Sequence, residues 1–348
     1  MFREGSSPDY DPILEADGHD GELKNGLWVH VVVCPFGSLA GKRFTTTHSF
    51  SCGDKNEVTP NDRRRVAKPR QFDFPLYVFS SRYMLHSRLN DDGSAFEDEA
   101  NIIGNTIGFE GAGAIVADQN SSTVYAFWPG QTEPGPEMGR DMYMAVSRDE
   151  GKNWSAPQKL DIDIKGNCRC CPIQATMDAQ GNLYILYRNS VRTSPSSWDK
   201  DTYLMVSKDA GKTWSKRLVQ KWEKCGCPGA LYSMSSGADG VYMGFSTRGE
   251  SSFAKVEKNL SINAAPDSGK SSTRPMVATN KNGDVLFCWV EVQDVVWQVY
   301  DRDGNAVAKA GGRLNGAAAK WSNAAVVATH GGDFMLYYDG HEPAKRKG

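Results

Sequence analysis

The chain has 348 residues, with 40 Lys and Arg against 42 Asp and Glu and a formal net charge of −2. That balance argues against a nucleic-acid or anionic-membrane partner. No apolar run approaches the roughly 18 residues of a membrane-spanning helix, and a chain this long can bury about three-quarters of its unfolded surface, in one large domain or two.

In chain order, residues 1–27 are rich in Gly, Asp and Glu without periodicity and are expected to form a loop-like tail. Met1-Phe2-Arg3-Glu4-Gly5-Ser6-Ser7-Pro8 carries no apolar core of a signal peptide. The eight cysteines point instead to an oxidising compartment if they pair. A secreted or periplasmic protein whose leader is missing from this sequence reconciles the two; a cytoplasmic protein with free thiols is the alternative. Trp28–Cys34 reads as a strand. From Pro35 to Phe74 no alternation is legible, so residues 28–75 are expected to hold an incomplete first repeat. The basic runs Asp62–Arg70 and Lys345-Arg346-Lys347 read as solvated segments. Strand-like order returns at Leu76–Phe79 and Tyr83–Leu85.

From there a repeat is visible. Each unit opens on a small-residue strand: Gly111–Val116, Ile173–Met177, Ala230–Met234, Pro275–Ala278 and Asn323–Val327. A Gly- or Asp-containing turn follows, then a bulky strand: Val124–Trp128, Leu183–Tyr187, Val241–Phe245, Val285–Trp289 and Phe334–Tyr338. The intervals between successive bulky strands are 59, 58, 44 and 50 residues. Five units plus a degenerate first one predict an all-β, six-bladed β-propeller of four-stranded antiparallel blades over residues 28–348. Small residues suit the crowded inner ring and bulky ones the wedges between blades. The sixth unit ends after its second strand, so its outer strands must come from the N-terminal region or be missing.

Within two units the third strand leads into a matching turn. Ser147-Arg148-Asp149-Glu150-Gly151-Lys152-Asn153-Trp154 returns sixty positions later as Ser207-Lys208-Asp209-Ala210-Gly211-Lys212-Thr213-Trp214. Gly151 and Gly211 can take positive φ, Asp149 and Asp209 can accept from turn amides, and Trp154 and Trp214 can pack over the turn. A weaker copy, Leu89–Phe96, keeps Asp91 and Gly93 and has Phe96 in place of Trp. The pattern Ser-x-Asp-x-Gly-x-x-Trp resembles the Asp box (BNR repeat) of the sialidase/neuraminidase-like β-propellers, over roughly residues 76–340. The box is read as a fold marker, not as a glycan site.

Propeller topology puts the starts of first strands and the ends of second strands on one face, opposite the box turns. Glu110, Arg188, Arg274, Trp128 and Arg140 are therefore expected near one channel mouth, with Glu110 as the catalytic carboxylate and the others contacting substrate. The resemblance implies an arginine-held sugar carboxylate and a Tyr nucleophile paired with Glu, chemistry suited to bidentate Arg. The Phe-Arg-Ile-Pro motif that would supply the first arginine is absent, and none of these residues is carried over from a matched motif. Packing of each against channel-mouth acceptors is the alternative.

Cys168, Cys170, Cys171, Cys225 and Cys227 precede neighbouring first strands and are expected to cluster. Disulfides stapling adjacent blades, stabilising by about 2–4 kcal/mol each, are one reading. The spacing misses the usual zinc pattern, which leaves a soft Cu(I) thiolate site as the other. No metal or other cofactor is assigned. The expected function is a sialidase-like, exo-acting glycoside hydrolase on terminal acidic sugars. A non-catalytic carbohydrate- or protein-binding propeller and a polysaccharide lyase are the alternatives. The expected partner is a glycan or polysaccharide, and the expected state a monomer.

Overall fold

The computed structural model describes Leu27–Val33 and Phe44–Phe50 by their backbone and then most of residues 84–338. Residues 1–26, 34–43, 51–83 and 339–348 lie outside the description, as do 89, 93, 108–112, 136–138, 161, 163–165, 168–172, 190, 195–196, 223–231, 248–249, 258–261, 265–271, 317–323 and 330. Glu110, Gly93, the strand expected at Leu76–Phe79 and the whole cysteine cluster at 168–171 and 225–227 are therefore outside it.

The protein is all-β, built from antiparallel four-stranded sheets. Sheet one is β1 (Leu27–Val33), β2 (Phe44–Phe50), β3 (Leu85–Arg88) and β4 (Ala100–Asn101). Sheet two is β5 (Ala114–Ala117), β6 (Val124–Gly130), β7 (Asp141–Ser147) and β8 (Gln158–Lys159). Sheet three comprises β9 (Gln174–Met177), β10 (Leu183–Arg188), β13 (Thr202–Ser207) and β14 (Ser215–Gln220), with the hairpin β11 (Val191–Ser194) and β12 (Ser197–Asp199) in the loop after β10. Sheet four is β15 (Tyr232–Gly237), β16 (Gly240–Thr247), β17 (Glu250–Lys255) and β18 (Ile262–Ala264). Sheet five is β19 (Ser272–Thr279), β20 (Val285–Glu291), β21 (Asp294–Tyr300) and β22 (Ala306–Leu314). Sheet six shows β23 (Ala324–Ala328) and β24 (Phe334–Tyr338). Within each sheet the strands pair with their chain neighbours, β10 with β13 across the β11–β12 hairpin.

The first sheet differs from expectation. Phe44–Phe50 lies in the stretch that looked unpatterned, yet it pairs with both β1 and β3 and completes four strands. Its Thr-Thr-Thr run lacks apolar alternation but is β-branched, which suits a strand as well as valine does.

First strands of consecutive sheets lie side by side: β1 with β5, β5 with β9, β9 with β15, β15 with β19, and β19 with β23. Their small residues make that approach possible. Ser233 Oγ accepts from Val277 N at 2.9 Å and Ser235 Oγ from Thr279 N at 3.0 Å, a parallel register between β15 and β19. A Cβ on Gly244 would sit 2.6 Å from Ser233 Oγ, so that second-strand position must stay bare.

The core lies between sheets. Five apolar clusters fill the five interfaces from sheet one to sheet six, such as Tyr125, Phe127 and Met144 of sheet two against Leu183, Ile185 and Met205 of sheet three. Bulky second strands supply both walls of these wedges, since alternate residues of a strand face opposite sides.

The two strong turns act as the sequence predicts. Ser147 Oγ donates to Asp149 Oδ1 at 2.8 Å and accepts from Gly151 N at 2.8 Å, while Asn153 N donates to Asp149 Oδ1 at 2.9 Å. Ser207, Asp209, Gly211 and Thr213 repeat this arrangement. Glu150 and Gly151 both have positive φ, 63° and 87°, as do Ala210 and Gly211, at 58° and 85°. Two consecutive positive φ values mark a type I′ hairpin turn. Donors from Asn153, or from Thr213 in the second copy, hold the Asp149 and Asp209 carboxyls down at about 2.

Each box tryptophan packs back on the preceding sheet: Trp214 meets Phe127 edge-on at 5.8 Å, and Trp154 meets His86 at 5.2 Å. The weaker copy departs from this pattern. Asn90 Oδ1, not Asp91, accepts from the turn amides of Ser94 and Ala95. Asp91 pairs with Arg88 and Lys152, and Phe96 is 43% exposed. Without the leading Ser and a Trp long enough to reach the wedge, the turn is capped locally.

Trp214→Ala is expected to lower stability by about 2–3 kcal/mol, below the range for a fully buried tryptophan, measured by denaturant unfolding. A pH effect follows from His86, 3% exposed with Nε2 lacking a partner. Burial, helped by the Arg88 charge, lowers its pKa to about 4 from the ordinary 6.5. The unfolded chain binds the proton first, so stability falls as pH drops from 6.5 to 4, by on the order of 3 kcal/mol in all. His86→Phe should flatten the thermal midpoint across that window, leaving the carboxylate-driven loss below it.

Candidate functional site

Within each sheet, the second strand ends and the third begins at the edge opposite the box turns. Arg188 ends β10 and faces Thr202 in register, at the far end of sheet three from Asp209. By the β15–β19 register, Arg274 lies two residues beyond the level of Tyr232 toward that same end. The two arginines proposed for substrate thus belong to one edge of their sheets.

Their environments differ. Arg188 is 1% exposed. Its Nε donates to Tyr232 Oη at 2.6 Å, and Nη2 to Thr202 Oγ1 and the Ser246 carbonyl, each at 3.3 Å. The guanidinium carbon lies 5.1 Å from the Trp222 ring centroid and 5.6 Å from that of Tyr232. Arg188 is therefore a buried link from sheet three to sheet four, with stacking on both rings.

Arg274 is half-buried and sits at a break in the β19–β20 ladder, where the register shifts between Thr273 and Met276. Its φ is 56°. Proline at 275 has no amide hydrogen to give the ladder and biases its predecessor toward extended backbone, so the left-handed Arg274 is strained. Strain of this kind costs about 1–3 kcal/mol and persists where the surroundings impose it. Its Nη1 is buried without a hydrogen-bond partner, and burial alone lowers its pKa. No carboxylate pairs with it among the described residues.

Two other expectations change. Trp128 is 0% exposed: its Nε1 donates to Thr106 Oγ1 at 2.9 Å and its ring stacks on Tyr143 at 6.2 Å. Arg140 is buried as well. Trp128 belongs to the apolar cluster between sheets one and two, and Arg140 lies between β6 and β7, its carbonyl accepting from Gly166 N at 3.1 Å; neither side chain is exposed. No group of three or more His, Cys, Asp or Glu side chains suited to a metal occurs among the described residues. Cys288 is a free, buried thiol whose pKa burial pushes up to about 12.

Sequence reading passed over the groups that accompany the arginines. Tyr232 looked like ordinary strand packing, and Trp222 stands in a lysine-rich stretch with no pattern. Glu291, which ends β20 as Arg188 ends β10, is a buried carboxylate accepting from Trp289 Nε1 at 3.0 Å and paired with Arg313. The apolar Val285–Trp289 run preceding a lone Glu was the available signal for it.

No family model matches the chain, and no curated protein matches it. A protein of unknown function from Dyadobacter fermentans is similar in structure, at TM-score 0.55 and 14% identity over 92% of this chain and 94% of that one. An alpha-L-arabinofuranosidase of Fusarium graminearum is similar at TM-score 0.44 and 12% identity, over 66% of this chain and 74% of that one. The NanB sialidase from Streptococcus pneumoniae has TM-score 0.37 and 12% identity, over 66% and 35%. No helix among the described residues is long and apolar enough to cross a membrane.

Because the backbone at 274 is left-handed, Arg274→Gly is expected to unfold at a higher denaturant midpoint than Arg274→Ala, by about 1 kcal/mol. Equal midpoints would show that the backbone there relaxes.

Proposed function

We propose that this chain is a six-bladed β-propeller that acts on acidic glycans, with Arg274 holding the sugar carboxylate on the face opposite the box turns. The observation that carries the reading is Arg274 itself: a strained, partly desolvated cation with an unpartnered nitrogen and no carboxylate partner among the described residues. A guanidinium in that condition gains most from a planar, bidentate anionic group. Serial packing of the sheets through their first strands supports the propeller, and the two Asp-box turns support its sialidase-like character. Glu110 is retained as the proposed catalytic carboxylate, with Arg188 and Arg140 as buried supports behind the contact surface. Trp128 keeps only a packing role. Secretion and pairing of the cysteines belong to the same proposal.

A non-catalytic module binding acidic glycans is the second reading. It is favoured by the state of Glu291, whose carboxylate is committed to Arg313 and Trp289 and not turned to Arg274.

The test is turnover of fluorogenic α-sialosides and uronosides, followed by a glycan array with acidic and neutral termini. Arg274→Ala is expected to lower kcat/KM, or array affinity, by about a hundredfold or more while the fold is kept. Turnover selects the hydrolase and array binding alone selects the module. Neither, from folded protein, removes the acidic-glycan reading.

A further inference from the structure

The buried contact around Arg188 contains two donors without acceptors. Nη1 of Arg188 has no hydrogen-bond partner, and neither has Nε1 of Trp222, which is 8% exposed. The two belong to touching groups, since the guanidinium carbon is 5.1 Å from the Trp222 ring centroid. A buried orphan donor forfeits about 1–3 kcal/mol of hydration, so two on adjoining groups call for an acceptor nearby.

Charge narrows the choice. A guanidinium carries a positive charge, and a buried cation is costly without a counter-charge. The hydrogen-bond partners of Arg188 are a phenol, a hydroxyl and a carbonyl, all neutral. The nearby Asp201 carboxylate is engaged elsewhere, accepting from Trp222 N at 2.8 Å. No ion pair joins it or any other described carboxylate to Arg188. Water would satisfy the donors but would bring no counter-charge.

We infer that Arg188 and Trp222 form a buried site for a small monovalent anion, of the size of formate or chloride, between sheets three and four. Nε and Nη2 already have partners, which leaves the two N–H of Nη1 and the one of Trp222 Nε1 for a compact acceptor. The site is a clamp. Arg188 and Trp222 come from sheet three, Tyr232 and Ser246 from sheet four, and the anion neutralises the charge that links them. This goes beyond the glycan reading, which rests on Arg274, and the two fail separately.

The experiment is the thermal midpoint of the full chain in a zwitterionic buffer, titrated with sodium formate or sodium chloride against sodium gluconate at equal ionic strength. Gluconate is too bulky for the site and controls for general salt effects. Formate, chloride or both should raise the midpoint saturably, by about 2 °C at ten times the dissociation constant. The better of the two identifies the site as preferring a carboxylate or a halide. Trp222→Phe keeps the ring and removes the N–H, and should weaken the response at least fivefold in apparent affinity. Arg188→Met should abolish it if that variant folds. Arg274→Ala should leave it unchanged. No response beyond that to gluconate, or the same response in Trp222→Phe as in wild type, would overturn the inference.

Discussion

The second strands of sheets two to five are buried along almost their whole length, and that single fact organises the rest. A strand such as Val285–Glu291, buried along its whole length, cannot present either side to water. Each sheet must be covered by the one before and the one after, which produces serial wedges in place of one central core. Small first strands let neighbouring sheets approach, and bulky second strands fill the space that opens between them. The box tryptophans add to the wedge from outside, tied to the turn through Trp214 Nε1, which donates to the Gly211 carbonyl.

The turns explain how so many reversals are made cheaply. In the boxes a serine and an aspartate satisfy amides that the ladder leaves over. Elsewhere Asp178, Asn280 and Asp301 do the same with one side chain, each accepting from the amide four residues on. These side chains cap backbone, so the recurrence of their geometry from sheet to sheet is a matter of folding. The opposite edge carries the charges that packing does not neutralise. Arg88 on the box side is matched by Asp91 and Glu97. Arg188 and Arg274, at the other edge, have no such match among the described residues, which is why the proposed chemistry is assigned there.

Much of the architecture was legible in the residues. Strand positions from Ala114 onward followed from small and bulky runs at a recurring interval, and the turn chemistry of Ser147–Trp154 followed from residue types alone. The weaker copy misled because Asp91 and Gly93 match the pattern, while the missing Ser and Trp remove the contacts that make it work. Phe44–Phe50 was missed because threonines carry strand preference without hydrophobic contrast. Among the site residues, sequence order put Arg188 and Arg274 at one edge of their sheets but could not tell how buried each is. Trp128 and Arg140 were expected near the same mouth as substrate contacts, and their burial was not legible because position along a strand says nothing about what closes over its end.

The sequence by itself determined the all-β class, the repeat and its hairpins, because these depend on alternation, turn residues and side-chain volume within a few dozen positions. Tertiary structure alone decided which polar groups are left unsatisfied. Whether Arg188 meets a carboxylate or a tyrosine depends on a residue 44 positions away on the neighbouring sheet, and whether Arg274 takes left-handed backbone depends on how β19 pairs with β20. Local preference is written along the chain, but electrostatic compensation is a property of what packing brings together.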